Sequence, residues 1–138
     1  MMISTKGTYA LRVMIDLAQH ENEGYISLKA ISDRQQVSMK YLESIVSLLN
    51  KGGLLTSLRG KDGGYMLKKP AEEYHIGEIL RLTEGGLMPV SCHGFSEGDE
   101  ECRNVNSCLT FPMWQKLDML INDYLDKVSL RDLLDGNI

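Results

Sequence analysis

The stretch from Ser38 to Lys69 constrains this chain most. Its first part, SMKYLESIVSLLNKGG, puts Leu42, Ile45, Val46 and Leu49 at the i, i+3, i+4, i+7 positions of one helical face. Ser38 precedes that face as a side-chain cap, and Met39, Lys40, Tyr41, Glu43, Ser44 and Ser47 are left outside it. Gly52 and Gly53 end the helix in the manner of left-handed C-terminal caps. The second part, LLTSLRGKDGGYMLKKP, predicts two antiparallel strands over 54–58 and 65–69. Between them lies the tip Arg59, Gly60, Lys61, Asp62, Gly63, Gly64, whose glycines permit positive φ and close backbone approach. Pro70 stops the second strand. The chain is therefore expected to be mainly α with one small β-hairpin.

What precedes this stretch completes a familiar arrangement. In KGTYALRVMIDLAQH, residues 6–20, one helical face carries Ala10, Leu11, Met14, Leu17 and Ala18, with Arg12, Asp16 and Gln19 elsewhere and Ser4 or Thr5 as the cap. A polar turn over 21–25 follows, then a short helix capped by Ser27 with Leu28 and Ile31 turned inward. Gln36 and Val37 join it tightly to the helix that starts after Ser38. Two helices so joined form a helix-turn-helix, whose second helix enters the DNA major groove N-terminal residues first. With the basic hairpin behind it, the layout is a winged helix-turn-helix. Lys40, Arg59 and Lys61 can neutralise phosphates, and Ser38, Tyr41 and the amides of the helix N-terminus can donate to phosphate oxygens. Met39, Lys40 and Glu43 lie where base edges would be, and Arg59 or Lys61 could enter a minor groove. Residue by residue, a solvated helix face and hairpin would look the same; their order in the chain favours double-stranded DNA.

The net charge of −4 opposes that reading only until it is divided. Residues 1–70 hold ten Lys/Arg against six Asp/Glu, whereas residues 71–138 hold five against thirteen. A basic half joined to an acidic half suits a polyanion-binding face with a second region turned away from it. No uncharged apolar run approaches the ~20 residues of a membrane span, and Arg12 and Asp16 interrupt the N-terminal apolar residues. No membrane association and a cytoplasmic location are expected.

Beyond the hairpin, Ile76–Thr83 predicts a short helix with Ile79, Leu80 and Leu82 apolar, broken by Gly85 and Gly86. Pro89 to Leu109 shows no periodicity and holds the acidic cluster Glu97, Asp99, Glu100 and Glu101. The longest helix follows from Pro112 to Lys127, and Trp114, Leu117, Ile121, Tyr124 and Val128 form a 3-4-3-4 seam suited to a second copy of the chain. Met113, Leu120 and Leu125 add a second apolar flank. Ser129 to Asp132 is a capping box for a last short helix. The expected organisation is a reading region over 1–84, a cysteine segment over 85–110 and a dimerisation region over 111–138, all in one compact domain. No Ser/His/Asp set or open metal site suggests an enzyme.

Cys92, Cys102 and Cys108 are the three cysteines, spaced C-x9-C-x5-C. An odd number so close together argues against a disulfide framework and for metal or thiol chemistry. Three thiolates on one segment can converge on iron, but clusters usually take four protein ligands. The residues alone also allow reduced thiols, a regulatory disulfide, or zinc with His93 completing a Cys3His set.

The start ISTKGTYALRVMIDLA, the segment YLESIVSLLNKGGLL, the hairpin RGKDGGYML and IGEILRLTEG followed by cysteines together resemble the Rrf-two family of bacterial winged-helix transcription regulators. The resemblance covers nearly the whole chain. It implies a homodimer that reads a roughly palindromic operator, with Ser38 to Glu43 and Arg59 to Tyr65, including Gly60, Gly63, Gly64 and Tyr65, at the DNA. It also implies an iron–sulfur cluster at Cys92, Cys102 and Cys108, 2Fe–2S in preference to 4Fe–4S. The sequence departs from the family at the fourth ligand. Cluster-binding members place a histidine three residues after the last cysteine, where this chain has Phe111, or an acid early in the partner's first helix, where it has Thr8. His93, an acid among 97–101 or an exogenous ligand could substitute. The alternatives are a cluster-free regulator, gated by a thiol or by a partner protein as in the cysteine-metabolism branch, and an iron–sulfur electron carrier.

Overall fold

A computed structural model describes residues 3–90 and 108–138 of the protein. Helix α1 runs Thr5–Gln19, α2 Leu28–Gln35 and α3 Met39–Lys51. Strands β1 (Leu55–Leu58) and β2 (Gly64–Leu67) form the hairpin, followed by a 3-10 turn over Ala71–Glu73 and helix α4 over Ile76–Glu84. Helix α5 spans Phe111–Lys127 and α6 Leu130–Asp135. The expected class, mainly helical with one hairpin, is what the chain adopts.

The caps act where the sequence places them. Ser4, Ser27 and Ser38 each accept from a backbone amide three residues on, at 3.1–3.2 Å, satisfying amides that no helical carbonyl reaches. Ser129 and Asp132 close a reciprocal capping box on α6. At the end of α3 the left-handed residue is Gly53 at φ +79, whereas Gly52 sits at φ −74. Gly52 is small for another reason: a Cβ there would run into the Leu82 side chain of α4.

One core holds these elements together. Leu42, Ile45, Val46 and Leu49 of α3 are fully buried with Ala10, Met14 and Leu17 of α1 and Ile79 of α4. The hairpin is antiparallel, Leu55 opposite Leu67 and Leu58 opposite Gly64. Both strands are one residue shorter than expected, β1 starting at Leu55 and β2 ending at Leu67. Ile26, just after the polar turn, and Tyr65 exchange amide–carbonyl bonds of 2.9 Å as an isolated bridge beside the hairpin. Gly64 is where the Ile26 backbone passes: a Cβ there would collide with the Ile26 carbonyl, as one at Gly63 would with the Leu58 carbonyl.

Two expectations are corrected. Asp16 is not on the outer side of α1 but 1% exposed. Val128 is not on the exposed seam of α5; it is buried in the subunit's own core, where its carbonyl accepts from the Ile76 amide at 2.9 Å.

Candidate functional site

The outer side of α3 is accessible where the sequence requires it. Ser38, Met39, Lys40 and Glu43 are exposed and Tyr41 is half-buried. Ser44 donates to the Tyr41 carbonyl at 2.7 Å, away from the exposed N-terminal edge. At the hairpin tip Arg59, Gly60 and Lys61 are exposed, while Gly63, Gly64 and Tyr65 are half-buried, Tyr65 bridged to Ile26. The Gly60 carbonyl accepts from the Gly63 amide at 3.1 Å, which folds the tip into a tight turn and leaves Lys61 at its apex. Lys61 and Gly63 border a cleft of about 420 Å³ whose other wall includes Ser27, Ala30 and Arg34 from α2 and its cap. The tip therefore stands beside the first helix of the helix-turn-helix.

The turn between α2 and α3 is fixed by side chains that periodicity does not pick out. Gln36 is left-handed (φ 54, ψ 49), and Ser32 Oγ donates to the Val37 carbonyl. From α1, Arg34 and Gln35 are gripped by Asp16: Arg34 donates through Nη2 and Nε at 2.6 and 3.0 Å, Gln35 Nε2 at 3.0 Å. Arg12 adds two bonds of 3.1 Å to the side-chain and backbone oxygens of Gln35. A polar residue on the apolar side of an amphipathic helix is the one signal that could have located Asp16.

On α5, Met113, Leu117, Leu120 and Tyr124 are exposed, while Trp114 and Ile121 are half-buried. Leu120, Ile121, Tyr124 and Leu125 line an apolar groove of about 390 Å³ with Leu80 and Ile3. So much exposed apolar surface on one helix calls for a cover. The root of α5 is tied to α4: Arg81 donates to Asn122 Oδ1 at 2.8 Å and to Asp126 Oδ1 at 2.7 Å. Asn122 Nδ2 in turn reaches the Leu87 carbonyl at 3.5 Å, at the entry to the cysteine segment.

Cys92 and Cys102, with His93 and the acids of 97–101, lie outside the described residues. Cys108 is half-exposed immediately before α5. Its Sγ is 3.3 Å from Thr110 Oγ1. That hydrogen bond, aided by the Thr110 and Phe111 amides, draws the thiol below its ordinary pKa. A thiolate-prone sulfur at a helix N-terminus has the chemistry an iron ligand needs, so Cys108 fits the implied cluster. Neither alternative fourth-ligand position does. Phe111 is buried and carries no donor atom, and the Thr8 hydroxyl donates to the Thr5 carbonyl at 2.9 Å. Among the described residues no three His, Cys, Asp or Glu side chains converge on one point, and no helix is long and apolar enough to cross a membrane.

Comparison with known proteins gives this geometry a context. Residues 3–136 match the model of the Rrf2 family, described as an iron-dependent transcriptional regulator. The HTH-type transcriptional regulator IscR of Pectobacterium atrosepticum is 37% identical over 136 residues, which are 99% of this chain and 80% of that protein. The structure of CymR, the global cysteine regulator of B. subtilis, superposes with a TM-score of 0.79 at 35% identity, covering 99% of this chain and 98% of that one. T. potens IscR superposes with a TM-score of 0.77 at 36% identity, covering 100% and 89%. The chain belongs to the Rrf2 family of winged-helix transcriptional regulators, which are not enzymes.

Proposed function

We propose that this protein is a homodimeric, operator-binding regulator whose DNA affinity is set by an iron–sulfur cluster. The observation that carries the reading is the accessible N-terminal edge of α3, capped by Ser38 and standing with the Arg59–Lys61 tip on a chain of regulator fold. The free amides there donate to phosphate, Lys40, Arg59 and Lys61 neutralise charge, and Met39, Lys40 and Glu43 face the bases. The exposed apolar side of α5 packs on the same helix of a second copy through Trp114, Leu117, Ile121 and Tyr124. Cys92, Cys102 and Cys108 would hold the cluster, 2Fe–2S in preference to 4Fe–4S, which would supply a one-electron redox centre. Cys108 begins the turn into α5, and Asn122 and Arg81 join α5 to α4. A change at the cysteines thus bears on the helix that spaces the two reading heads.

The experiment is to purify the protein without oxygen, measure iron, acid-labile sulfide and zinc, and compare operator binding before and after removing the metal. Near-equal iron and sulfide with a change in affinity supports the reading; identical binding by both forms defeats it. One observation favours a second reading: neither alternative fourth-ligand position offers a ligand, Phe111 being a buried aromatic. Metal-free protein would move the assignment to a cluster-free regulator gated by its thiols or by a partner protein, and zinc alone to a structural site.

A further inference from the structure

Arg12 lies on the polar side of α1, near the start of the chain's basic half, and nothing in its sequence context marks it. Its guanidinium nevertheless has three fixed partners. It donates at 3.1 Å to both Gln35 oxygens and lies 4.9 Å over the Tyr9 ring. Tyr9 in turn meets Tyr41 edge to face, centroids 5.8 Å apart and planes at 88°. Tyr41 is in the first turn of α3, and its amide is the one that the Ser38 cap accepts from. We propose that Arg12 and Tyr9 are positioning residues that set the angle at which α3 meets DNA. The proposal rests on reading Ser38 to Glu43 as the DNA-facing edge.

The strain in the turn shows why such a brace has work to do. The direction of α3 is set by the backbone of Gln36 and Val37. Gln36 is the one non-glycine residue at positive φ among the described residues, a conformation in which an L side chain is crowded by its own backbone. The two-residue connection carries that strain, so contacts on either side of it bear on the direction of α3. Arg12 holds the residue just before the strained one, and the Tyr9–Tyr41 contact holds the first turn just after it. The brace therefore spans the hinge from outside. The fully buried core between α1 and α3 is Ala10, Met14, Leu17, Leu42 and Ile45, and the Tyr9 and Tyr41 rings pack against its edge. Removing it should loosen the aim of α3 without unfolding the domain.

Arg12 is also an exposed cation, so direct phosphate contact is the competing role, and the two differ in what DNA binding reports. A phosphate contact helps all duplexes and steepens the salt dependence; a brace helps only the duplex whose bases α3 must meet. The probes are a duplex enriched by the wild-type full chain from a random pool and a scrambled duplex of equal length. Arg12→Ala, Arg12→Lys, Tyr9→Phe and Tyr9→Leu are compared, with thermal melting alongside. The expected result is about a fivefold loss on the enriched duplex for Arg12→Ala, the scale of one exposed cation–π contact. Scrambled-duplex affinity, salt slope and melting should stay put. Arg12→Lys, which keeps the charge but not the fork, should resemble Arg12→Ala; Tyr9→Leu should do so too, while Tyr9→Phe stays near wild type.

The proposal is overturned if Arg12→Ala weakens both duplexes alike with a shallower salt slope that Arg12→Lys restores, which makes Arg12 a phosphate ligand. It is also overturned if Arg12→Ala changes nothing. Lys40→Ala and Arg59→Ala are carried in parallel. If they too leave binding intact, the DNA-facing reading of α3 is itself wrong and the brace falls with it; if they weaken binding and Arg12→Ala does not, the brace alone falls.

Discussion

Asp16 of α1 and Arg34 of α2 form a two-pronged ion pair at 2.6 and 3.0 Å, with the carboxylate only 1% exposed. Burial alone would push the Asp16 carboxyl up. The hydrogen bonds from Arg34 and Gln35 and the nearby charges of Arg34 and His20 outweigh it, and the carboxyl is held below its ordinary value of 3.8. A depressed carboxylate contributes stability that is fully present above its unfolded pKa and lost as pH falls through the folded one. The pair should thus support the fold above about pH 4 and fail in more acidic solution. Asp16→Ala should cost about 2–3 kcal/mol at neutral pH, below the ~3–5 of a wholly buried pair because Arg34 keeps partial access to water. It should also flatten the acid limb of a denaturation-versus-pH curve. Urea titrations from pH 3 to 7 that show the same pH slope in both proteins would remove Asp16 from this role.

Tyr74 ties the hairpin to the core from below. Its hydroxyl donates to the Leu54 carbonyl at 2.6 Å and accepts from the Lys68 amide at 2.9 Å, so one atom pins the start of one strand and the end of the other. The ring is fully buried and Lys69 Nζ lies 4.9 Å over it. Burial raises the phenol's pKa, partly offset by the Lys68 and Lys69 amides. The raised value means stability present below the ordinary pKa near 10 and lost in more alkaline solution. Tyr74→Phe leaves the Leu54 carbonyl and Lys68 amide without their partner and should cost about 1–3 kcal/mol. Hydrogen exchange should then quicken over 54–68 before it does in α3. Uniform quickening throughout the chain would show that the pin is not specific to the hairpin.

Gln36 separates backbone strain from side-chain function in the same turn. Glycine adopts φ 54 without a Cβ penalty but costs entropy in the unfolded chain, and the Gln36 side chain is exposed. Gln36→Gly should therefore leave stability within about 1 kcal/mol of wild type, on the stabilising side, while Gln36→Val should lose about 1–3 kcal/mol. Equal melting of the two variants would mean that the turn relaxes out of the left-handed region at no cost.

Much of this architecture could be read from the residues because it depends on local chemistry. The 3.6-residue spacing of Leu42, Ile45, Val46 and Leu49, the serine caps and the glycines of the tip each specify their own few residues. What escaped the sequence is made between distant segments. Ile26 gives no strand signal by itself; it pairs because Gly64 lets a third backbone pass. Asp16 belongs inside only because Arg34 and Gln35 arrive from another helix, and Tyr74 gains its meaning from carbonyl and amide groups up to 20 positions away. Val128 fits the α5 seam by spacing, yet the chain leaves the helix there and turns it into the core. At the candidate site the exposed edge of α3 and the tip were legible because exposure follows from polarity. Arg12 was not, since a surface arginine looks the same whether it meets water, phosphate or a neighbouring helix.

The hairpin tip supplies the most direct quantitative test of the DNA reading. Arg59 and Lys61 are exposed and flank Gly60 in a turn closed by the Gly60–Gly63 bond, so their side chains extend from a backbone that cannot follow them. If each neutralises one phosphate, binding releases counterions, and the logarithm of affinity falls with the logarithm of salt at about 0.9 per contact. In a homodimer each substitution removes two contacts. Lys61→Ala should therefore make the salt slope shallower by about 1.8 and weaken enriched and scrambled duplexes alike. An arginine inserted into a narrow minor groove behaves differently, because it reads groove width as well as charge. If Arg59 is the inserted residue, Arg59→Ala should lose the same slope and also the preference for A·T-rich flanks, whereas Lys61→Ala keeps that preference. Filter or fluorescence titrations from 50 to 300 mM salt on A·T-rich and G·C-rich flanked duplexes decide it. An unchanged slope in both variants would show that the tip stays clear of the duplex.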